Sequence, residues 1–458
     1  MKGATGASSN GLIIYHKFQI VMKCKKYLTI VLLSFISISV FSQLRNKPAL
    51  NEQFMDMGFG IFIHWSMDSQ LGSVISHSLV GASEDYVQRY MNELPKTFYP
   101  NKFDPDEWAR LFKLTGAEYV VFTTKHHNGF CMWDTKTTDF NIMNTPYGKD
   151  ITGMLVKSLR KYGLKVGFYF SPEDFSFIYK QGHLISRKGP MTQVTKNKEL
   201  FEYAKRQVDE LFTNYGKIEF AFFDSFSKGN LVQYVHEKYP DIVVTRGEMS
   251  TPEQKIPDAP MPGPWETCMT MGTQWAYKPT NEVYKDGGEL IKKLIEIRAK
   301  GGNFLMNVGP KPNGEIPIEQ EERLREIALW MYVNNEGIKN VRTVPSIIKE
   351  GDLWFTKAKD ENTVYVFITD QEDWFKGFRR NFLLREIRAT KDTEISVLGQ
   401  NDLVVEYWPE NTPISRFIQH ESSLEISISR AHRLYNDKIW PNPVVVKITN
   451  VEFVTGQN

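Results

Sequence analysis

Apolar and polar positions follow two different periods along most of this chain. Runs of apolar and β-branched residues predict buried strands: Gly60–Trp65, Ala117–Phe130, Lys165–Asp174, Ile218–Phe226, Asp241–Arg246 and Asn303–Pro310. Segments with apolar residues at helical spacing predict the helices between them: Asp104 to Gly116, Asp150–Tyr162, Asn197–Tyr215, Leu231–Tyr239, Glu289–Ala299 and Ile318–Asn334. Alternating strands and helices form parallel sheets with right-handed crossovers, and this length favours closure. The pattern therefore predicts an α/β fold with a TIM-like (β/α) barrel.

The barrel is expected to be irregular and to be followed by a second domain. A long polar loop that carries Glu84 follows the first strand, and the segment around Glu266 has no clear strand signal. After about Arg342 the pattern changes to short alternating or β-branched runs between polar turns, which is typical of an antiparallel sandwich. The sequence therefore predicts a barrel over residues 43–342 and a C-terminal β-sandwich over residues 343–458.

The first residues have the composition of an export signal. A basic stretch that begins at Met22 precedes the apolar stretch LTIVLLSFISISVF, and small residues precede Gln43. This order is typical of a cleaved secretory signal peptide, and the apolar stretch is short for a membrane span. We therefore expect residues 1–42 to be an N-terminal extension and signal peptide. The mature protein is expected to be periplasmic or extracellular, without a membrane span.

Composition narrows the expected partners. The net charge is +2 and 24% of the residues are charged, so no broad basic surface for nucleic acid or anionic membranes is expected. Only Cys131 and Cys268 lie beyond the signal peptide, which is too few for a disulfide framework and fits no zinc motif. Aromatic residues make up 13% of the chain, a content that suits sugar binding as well as a large core. No feature of the sequence indicates an oligomeric state.

Polar side chains lie at the ends of most of the predicted strands. They are acids, bases and hydrogen-bond donors: His64, His126, His127, Tyr169, Asp224, Arg246, Glu266 and Asn307. Because the carboxyl ends of parallel strands meet at one face of a barrel, we expect these side chains to line one mouth. Each residue alone also has a structural explanation; Asp224, for example, also suits a loop or the cap of the next helix. Their shared position favours a functional site over eight separate structural roles.

The residue types in this group exclude several chemistries. Adjacent histidines cannot easily turn to one ion from a strand, and no HxH or HExxH motif supplies zinc ligands, so no metal is expected. No glycine-rich phosphate loop follows a strand, and no Gly-x-Ser-x-Gly elbow marks a serine hydrolase. Two carboxylates, Asp224 and Glu266, remain in a pocket of His, Tyr, Arg and Trp residues. This set fits glycoside hydrolysis, in which one carboxylate attacks the anomeric carbon or directs water to it and the other protonates the leaving oxygen.

Six segments give the chain a specific resemblance. They are FGIFIHW (Phe59–Trp65), FDPDEWARLFKLTGAEYVVFTTKHHNGFCMWD (Phe103–Asp134), GFYFS (Gly167–Ser171), the strand of Asp224, WETCMT (Trp265–Thr270) and KGGNFLMNVGPKPNGEI (Lys300–Ile316). In this order, over about Phe59 to Thr343, the chain resembles the α-L-fucosidases of glycoside hydrolase family 29. The resemblance implies an irregular (β/α) barrel with a C-terminal β-sandwich, a retaining mechanism, and no need for a cofactor or metal.

The resemblance also implies roles for individual residues. Asp224 aligns with the family's nucleophile, and Glu266, in Trp-Glu-Thr-Cys, resembles the acid/base. The residues that resemble the sugar-binding set are His64, His126, His127, Tyr169 and Arg246, with Glu84 and Trp275 as weaker members. Because the acid/base lies on a variable loop in the family, Glu84, Glu248 and Glu253 remain alternatives to Glu266.

Three places depart from the family pattern. Ser225 follows Asp224 where Trp-Phe-Asp-Gly would place a glycine, and Asn128 stands where His-His-Asp-Gly-Phe has an aspartate. The loop around Glu84 reads Ser-Glu-Asp-Tyr where Glu-Trp-Tyr is usual. These changes leave the expected nucleophile in place but touch its neighbours. They bear on which sugar and which linkage the site accepts more than on the class of reaction.

The expected function is that of an exported, retaining exo-α-L-fucosidase. It would act on a fucosylated oligosaccharide or glycoconjugate by double displacement, with Asp224 as nucleophile and Glu266 as acid/base. One alternative is a hydrolase for a related sugar such as α-L-galactose, which carries a hydroxyl group on the carbon that is a methyl group in L-fucose. Another is a fucose-binding relative that has lost catalysis, against which the presence of both carboxylates argues.

Overall fold

The structure is a computed structural model that describes most of the chain beyond its N-terminus. The described ranges are residues 45–75, 79–406, 408–431 and 442–454. The predicted extension and signal peptide, residues 1–42, lie outside the described residues, so export stays a prediction. Among the helices of the described ranges, none combines the length and the apolar character that crossing a membrane requires.

A parallel sheet of seven strands curls into the barrel. The strands are β1 (Phe59–Ile63), β2 (Tyr119–Lys125), β3 (Lys165–Phe170), β4 (Phe220–Phe223), β5 (Val243–Val244), β6 (Glu266–Thr270) and β7 (Asn303–Val308). They pair in the order β5-β4-β3-β2-β1-β7-β6. All but β6 overlap a run that the sequence predicts as a strand, and the TIM-like barrel is confirmed.

The strands form because both of their faces can be buried. Almost every residue of the seven strands is buried, as the continuous apolar runs of a covered parallel sheet require. Side chains that alternate along the strands fill the interior of the barrel: Phe62, Tyr119, Val121, Tyr169, Phe220, Phe222, Cys268 and Leu305. The barrel interior is therefore a packed core and not a pore.

The irregular part of the barrel lies between β5 and β6. Single bridges join Ser250 to Trp265 and Glu253 to Cys268, so the segment after β5 fills the gap between the two strands. The segment around Glu266 has no clear strand signal in the sequence, yet it forms β6, which is buried throughout and pairs with β7 along its whole length. The five residues of β6, ETCMT, are mostly polar, and it is the pairing with β7 that makes this segment a strand.

Helices connect the strands and cover the barrel. They are α1 (Pro48–Met57), α2 (Glu84–Asn92), α3 (Pro105–Leu114), α4 (Ile151–Lys161), α5 (Phe175–Lys180), α6 (Lys198–Asn214), α7 (Gly229–Lys238), α8 (Gly287–Ala299) and α9 (Ile318–Asn334). Asp104 caps α3 as predicted, accepting the backbone N–H groups of Asp106 and Glu107 at 2.9 Å. The loop predicted around Glu84 is instead α2, because the Ser83 side chain caps its first turn and acidic residues occupy that turn.

Antiparallel strands form the C-terminal part. They are β8 (Val341–Thr343), β9 (Lys349–Glu350), β10 (Leu353–Ala358), β11 (Val364–Ile368), β12 (Arg379–Leu384), β13 (Ile387–Val397), β14 (Arg416–Gln419), β15 (Leu424–Ser429) and β16 (Val444–Phe453). One sheet has the order β13-β16-β11-β10-β8 with β9 beside β10, and the other has the order β12-β15-β14. These two sheets confirm the predicted β-sandwich. The domain boundary that the sequence predicts, between residues 342 and 343, falls inside β8. The exact division between the two domains stays a prediction.

Candidate active site

Asp224 stands at the carboxyl end of the barrel, directly after β4. Its backbone N–H donates to the carbonyl of Phe170, the last residue of β3, at 3.2 Å. The Tyr169 hydroxyl donates to Oδ2 at 2.9 Å, and Nε2 of His127 lies 3.7 Å from the same oxygen. Nε of Arg246 lies 3.5 Å from Oδ1. The Asp224 side chain is 24% exposed, so a small molecule that enters the mouth can reach it.

These neighbours keep Asp224 ionised. Burial alone would raise the pKa of its carboxyl, but the charges of His127 and Arg246 and the Tyr169 hydrogen bond hold that pKa below its usual value. Burial and the Asp224 charge raise the pKa of the Tyr169 hydroxyl well above its usual value, so this hydroxyl remains a donor. Asp224 is therefore a carboxylate at neutral pH with fixed oxygen positions, which is what a carboxylate nucleophile requires.

His64 follows β1 and is held in one orientation. Nδ2 of Asn307 donates to the carbonyl of Trp275 at 2.6 Å, so Oδ1 of Asn307 faces Nδ1 of His64, also at 2.6 Å, and accepts its N–H. Burial lowers the pKa of His64 to about 4, so the ring is neutral and its Nε2 is an acceptor. The ring packs against Trp275, with centroids 4.8 Å apart. His64 is thus arranged to accept a hydrogen bond from a hydroxyl group.

His126 and His127 follow β2 and turn to the same mouth. Nδ1 of His126 accepts the backbone N–H of His127 at 2.9 Å, so the neutral His126 ring carries its proton on Nε2. The Ser171 hydroxyl donates to the Glu173 carbonyl at 2.9 Å, and Nδ1 of His127 therefore donates to the Ser171 oxygen at 2.5 Å. Both rings are fixed through Nδ1, and both direct Nε2 away from the backbone contacts.

The two histidines and Asp224 also have the spacing of metal ligands. One ligand atom from each of His126, His127 and Asp224 lies within 4.8 Å of the others, so the adjacent histidines do turn to one point, which was expected to be difficult from a strand. Both residues lie beyond the end of β2 at Lys125, and this frees their rings to face one way. The donor set still suits a sugar better than a metal, because Nε2 of neutral His126 carries a proton and donates.

Aromatic rings close the barrel beneath these polar groups. Tyr169 stacks on His126 with 5.0 Å between ring centroids and on Phe222 with 5.6 Å. Phe62 packs against His64 at 4.4 Å and against Phe222 at 4.9 Å. Because Phe62 and Phe222 are fully buried, the site is a pocket with a closed floor rather than a channel.

Glu266 is not at this mouth, and the prediction that it stands beside Asp224 is wrong. Glu266 is the first residue of β6 and pairs with Asn303, the first residue of β7. Thr270, at the other end of β6, pairs with Asn307, which belongs to the mouth. Four residues along a strand separate these two levels by about 13 Å.

The surroundings of Glu266 are those of a structural group. Its side chain is completely buried and accepts a hydrogen bond from the Tyr119 hydroxyl at 2.9 Å. Burial raises the pKa of Glu266 to about 7. Sequence alone misplaces Glu266 because β6 is weak in apolar residues, so this carboxyl is expected after a strand although it begins one.

Two of the three alternative carboxylates are also away from the mouth. Glu84 lies on the exposed first turn of α2, where it accepts hydrogen bonds from the Tyr179 hydroxyl and from Gln88. Glu248 accepts the backbone N–H of Asn46 at 2.8 Å and lies 2.6 Å from Nε2 of His236. Of the two weaker members of the predicted sugar-binding set, Trp275 therefore lies in the site and Glu84 does not.

Glu253, the third alternative, does reach the mouth. Its Oε2 lies 2.9 Å from Nη2 of Arg246, whose Nε faces Asp224. Glu253 is bridged in parallel to Cys268, a residue of the barrel interior, and bridged partners point to the same side of a sheet. The Glu253 side chain is 41% exposed. The Arg246 guanidinium therefore lies between two carboxylates, Asp224 on its inner side and the more exposed Glu253 on its outer side.

Glu173 and Arg187 are site residues that were not predicted from the sequence. The Glu173 carboxylate is buried, accepts the Ser225 hydroxyl at 3.1 Å and lies 3.4 Å from Nε of Arg187 and 3.9 Å from Nδ1 of His127. Glu173 comes three residues after β3, so a search for polar residues just past the strand ends could have found it. Arg187 lies in a polar stretch between α5 and α6, and no local signal marks it.

A family model and several known proteins that this chain resembles are described as alpha-L-fucosidases. A family model for alpha-L-fucosidase matches residues 40–336. The alpha-L-fucosidase of Dictyostelium discoideum is 28% identical over 407 residues, which cover 78% of this chain and 85% of that protein. The plasma alpha-L-fucosidase of Rattus norvegicus is 28% identical over 426 residues, or 85% of this chain and 90% of that one. The solved structure of alpha-L-fucosidase isoenzyme 1 from Paenibacillus thiaminolyticus is 27% identical, with a TM-score of 0.66 over 87% of this chain and 99% of that chain.

Proposed function

The chain belongs to the α-L-fucosidase family, and we propose that it releases terminal α-L-fucose by a retaining double displacement with Asp224 as nucleophile. As an α-L-fucosidase it is a glycoside hydrolase, and its substrate class is a fucosylated glycan. One observation carries the finer proposal. Asp224 is an ionised and partly exposed carboxylate at the open end of a pocket whose floor is closed by aromatic rings.

The first step forms a bond between Asp224 and the sugar. A carboxylate oxygen attacks the anomeric carbon, the glycosidic C–O bond breaks, and the leaving oxygen takes a proton from a general acid. The product is a β-linked fucosyl ester together with the released alcohol. The Tyr169 hydroxyl and the Arg246 guanidinium contact the carboxylate on both oxygens, and they orient it for attack. In the second step water attacks the same carbon, and the ester bond breaks to regenerate the carboxylate.

We assign the acid/base to Glu253 in place of Glu266. A general acid must reach the leaving oxygen, and Glu253 is exposed at the mouth and linked to Asp224 through Arg246. Glu173 also lies near Asp224, but it is buried and its oxygens are engaged by Ser225 and Arg187. Glu253 would donate its proton to the leaving oxygen in the first step and take one from water in the second.

The remaining pocket residues are assigned to sugar binding. Nε2 of His64 is an acceptor and Nε2 of His126 is a donor, so the two rings can bind different hydroxyl oxygens of one sugar. Trp275, which packs against His64, offers an apolar surface to the carbon skeleton. Because the floor is closed by Phe62 and Phe222, only a sugar at the end of a chain can enter, which favours exo action.

Azide rescue tests both catalytic assignments in one assay. Asp224→Gly loses its nucleophile, so azide can attack an aryl α-L-fucoside directly and give β-L-fucosyl azide. Glu253→Gly keeps the nucleophile, so azide can attack the fucosyl ester instead and give α-L-fucosyl azide. Azide products of the opposite configuration, or none, would contradict the assignments, and a wild-type enzyme whose first product by NMR is β-L-fucose would contradict retention.

We also propose that the enzyme is exported, because its first residues have the order of a signal peptide. The substrate would then be an extracellular or periplasmic glycan. N-terminal sequencing of the protein from the culture medium or periplasm should give a mature chain that begins near Gln43. Full-length protein found only in the cytoplasm would contradict export without affecting the assignment of activity.

A further inference from the structure

Phe226 is an exposed aromatic residue at the rim of the active site. Its side chain is 73% exposed, although it comes only two residues after Asp224. Two residues of chain span at most about 7 Å, so the ring borders the space outside the carboxylate. In the proposed reaction this space holds the leaving group. A single exposed ring is common on protein surfaces, so its surroundings decide whether it has a role.

One face of this ring is backed by a guanidinium group. Cζ of Arg187 lies 5.2 Å from the centroid of the Phe226 ring, and such a contact is attractive and fixes the ring plane. Because the ring is still mostly exposed, its second face is open to solvent. Phe226 therefore presents a flat apolar surface that is held from behind by the Arg187 guanidinium.

A buried carboxylate holds both members of this pair. Glu173 accepts the hydroxyl of Ser225 at 3.1 Å, and its other oxygen lies 3.4 Å from Nε of Arg187. Glu173 is buried, and a buried charge is costly unless such partners surround it. The pair is thus anchored from inside the protein.

The turn that carries Phe226 is fixed from its other side as well. The backbone N–H of Ser227 donates to the Ser225 hydroxyl oxygen at 3.0 Å, and the backbone N–H of Thr195 donates to the Ser227 hydroxyl oxygen at 3.2 Å. Nζ of Lys228 donates to the Ser225 carbonyl at 2.6 Å. Because these hydrogen bonds fix the turn, the Phe226 ring is preorganised, and little conformational entropy is lost when a ligand packs against it.

We propose that Phe226 and Arg187 form a binding surface for the leaving group, and that this group is a further sugar ring of the glycan. The inference rests on the proposed function, because it requires cleavage at Asp224. The C–H faces of a sugar are apolar and can pack on the open face of Phe226, whose plane Arg187 holds from the opposite side. Phe226 is then a residue that determines specificity for oligosaccharides over fucosides with small leaving groups.

Two substrates with different leaving groups test this surface. The leaving group of α-L-fucosyl fluoride has no surface to bind, whereas fucosyllactose releases lactose; the fucosyllactose used is the isomer, linked through galactose or glucose, that the wild type cleaves faster. In Phe226→Ala we expect the ratio of kcat/KM for fucosyllactose to that for the fluoride to fall roughly tenfold. Phe226→Trp should restore the ratio. Tyr332→Ala on α9, which removes another exposed ring, should leave it unchanged.

A transfer assay measures the same surface without cleavage of fucosyllactose. When α-L-fucosyl fluoride is the donor and lactose is added, the fucosyl ester divides between water and lactose. We expect the wild type and Tyr332→Ala to form fucosyllactose, and Phe226→Ala to form roughly tenfold less of it per fucose released. A general loss of folded enzyme lowers both products together, so it does not move this quotient.

The outcomes separate this inference from the proposed function. Wild-type enzyme that hydrolyses neither substrate would overturn the proposed function and the inference with it. If the wild type hydrolyses the fluoride, but Phe226→Ala has the same substrate ratio and the same transfer quotient as Tyr332→Ala, only the leaving-group surface is overturned. The leaving-group surface is likewise overturned if the wild type cleaves the fluoride but neither isomer of fucosyllactose and transfers nothing to lactose.

Discussion

The two ends of the barrel contain the same pair of groups in different surroundings. At the carboxyl end, Asp224 accepts a hydrogen bond from Tyr169 at 2.9 Å. At the amino end, Glu266 accepts a hydrogen bond from Tyr119, also at 2.9 Å. Nearby charges and exposure distinguish them, because Asp224 is partly exposed among cations whereas Glu266 is sealed inside the barrel.

The two carboxyl groups consequently have pKa values on opposite sides of their usual values. His127 and Arg246 hold the pKa of Asp224 low despite its burial, whereas burial raises the pKa of Glu266 to about 7. The depressed pKa keeps Asp224 ionised as a nucleophile must be, whereas the raised pKa leaves Glu266 largely protonated only below about pH 7. A carboxylate paired with a tyrosine is therefore not by itself a sign of catalysis.

The amino end has a structural explanation of its own. Arg298 is buried there and donates to the side chain of Asn303 at 2.9 Å and to the carbonyls of Gly302 at 2.6 Å and Ile338 at 2.9 Å. Asn303 also donates to the carbonyl of Phe54 at 2.7 Å. These contacts join the barrel strands to the chain that leads into the sandwich, as expected for a face of the barrel concerned with stability.

The largest expected difference between the two ends comes from Asp224→Ala. It removes the nucleophile, so kcat/KM on an aryl α-L-fucoside should fall by at least roughly 10⁴-fold. Glu266→Gln should stay within about threefold of the wild type, since it contacts nothing at the mouth. Steady-state kinetics on both variants, with circular dichroism to confirm folding, check the contrast. A larger loss in Glu266→Gln than in Asp224→Ala would reverse the roles of the two ends.

A second large effect is expected from Glu253→Gln. Without general acid assistance, kcat/KM should fall by roughly 10²- to 10⁴-fold on a fucosyl disaccharide, whose leaving oxygen needs a proton. The loss should be much smaller on α-L-fucosyl fluoride, because fluoride departs without strong assistance. Rates on the two substrates check this difference. Equal losses of kcat/KM on the two substrates would remove Glu253 from the acid/base role. Glu173→Gln, which alters the other carboxylate near Asp224, is the control variant and should not show this difference between the substrates.

Removing one tyrosine hydroxyl at each end of the barrel should have a moderate effect, on activity at the carboxyl end and on stability at the amino end. Tyr169→Phe should lower kcat/KM by roughly 10- to 100-fold, because the hydroxyl bonds to a charged carboxylate that reacts. Tyr119→Phe should leave kcat/KM near that of the wild type but lower the free energy of unfolding by about 1–3 kcal/mol. Kinetics and urea denaturation on both variants test the pair. A similar loss of activity in the two variants would contradict the separation of roles.

The last expected effect concerns stability alone and not activity, and it is the pH dependence that Glu266 gives to the free energy of unfolding. The pKa of Glu266 is raised from 4.5 to about 7 in the folded protein, so the folded state binds more protons between these values than the unfolded state does. The free energy of unfolding should therefore fall by about 3 kcal/mol as the pH rises from about 4.5 to 7, and then level off. Glu266→Gln should lack this decline. Denaturation curves at pH 5 and pH 7.5 that change equally in both proteins would contradict it.

The sequence predicted most of the fold because periodicity is local. The helix Ile318–Asn334 has the predicted bounds, and the apolar run before Asp224 placed that carboxylate correctly after its strand. The strand β6 was missed because its residues are mostly polar and its pairing with β7 comes from distant chain. Once β6 was missed, nothing local showed that Glu266 precedes a strand rather than follows one.

Contacts between residues that are far apart in the sequence account for the other site features that could not be predicted. Arg187 meets Glu173 from a stretch without a periodic pattern, and Glu253 meets Arg246 from a loop that fills the gap in the sheet. Such contacts depend on the conformation of the loops over the mouth, which the spacing of residues within one segment does not predict. The histidines were placed correctly at the mouth, but their common direction depends on where β2 ends.

The most direct test of the central claim is to identify the carboxylate that carries the sugar. A fucosyl fluoride with a second fluorine at C2 reacts slowly after the first step, so the fucosyl ester accumulates and can be located by peptide mass spectrometry. We predict that the label is on the peptide with Asp224 and that this label is absent from Asp224→Ala. Label on the peptide with Glu266, or on Glu173 or Glu253, would contradict the assignment of chemistry to Asp224 at the carboxyl end of the barrel.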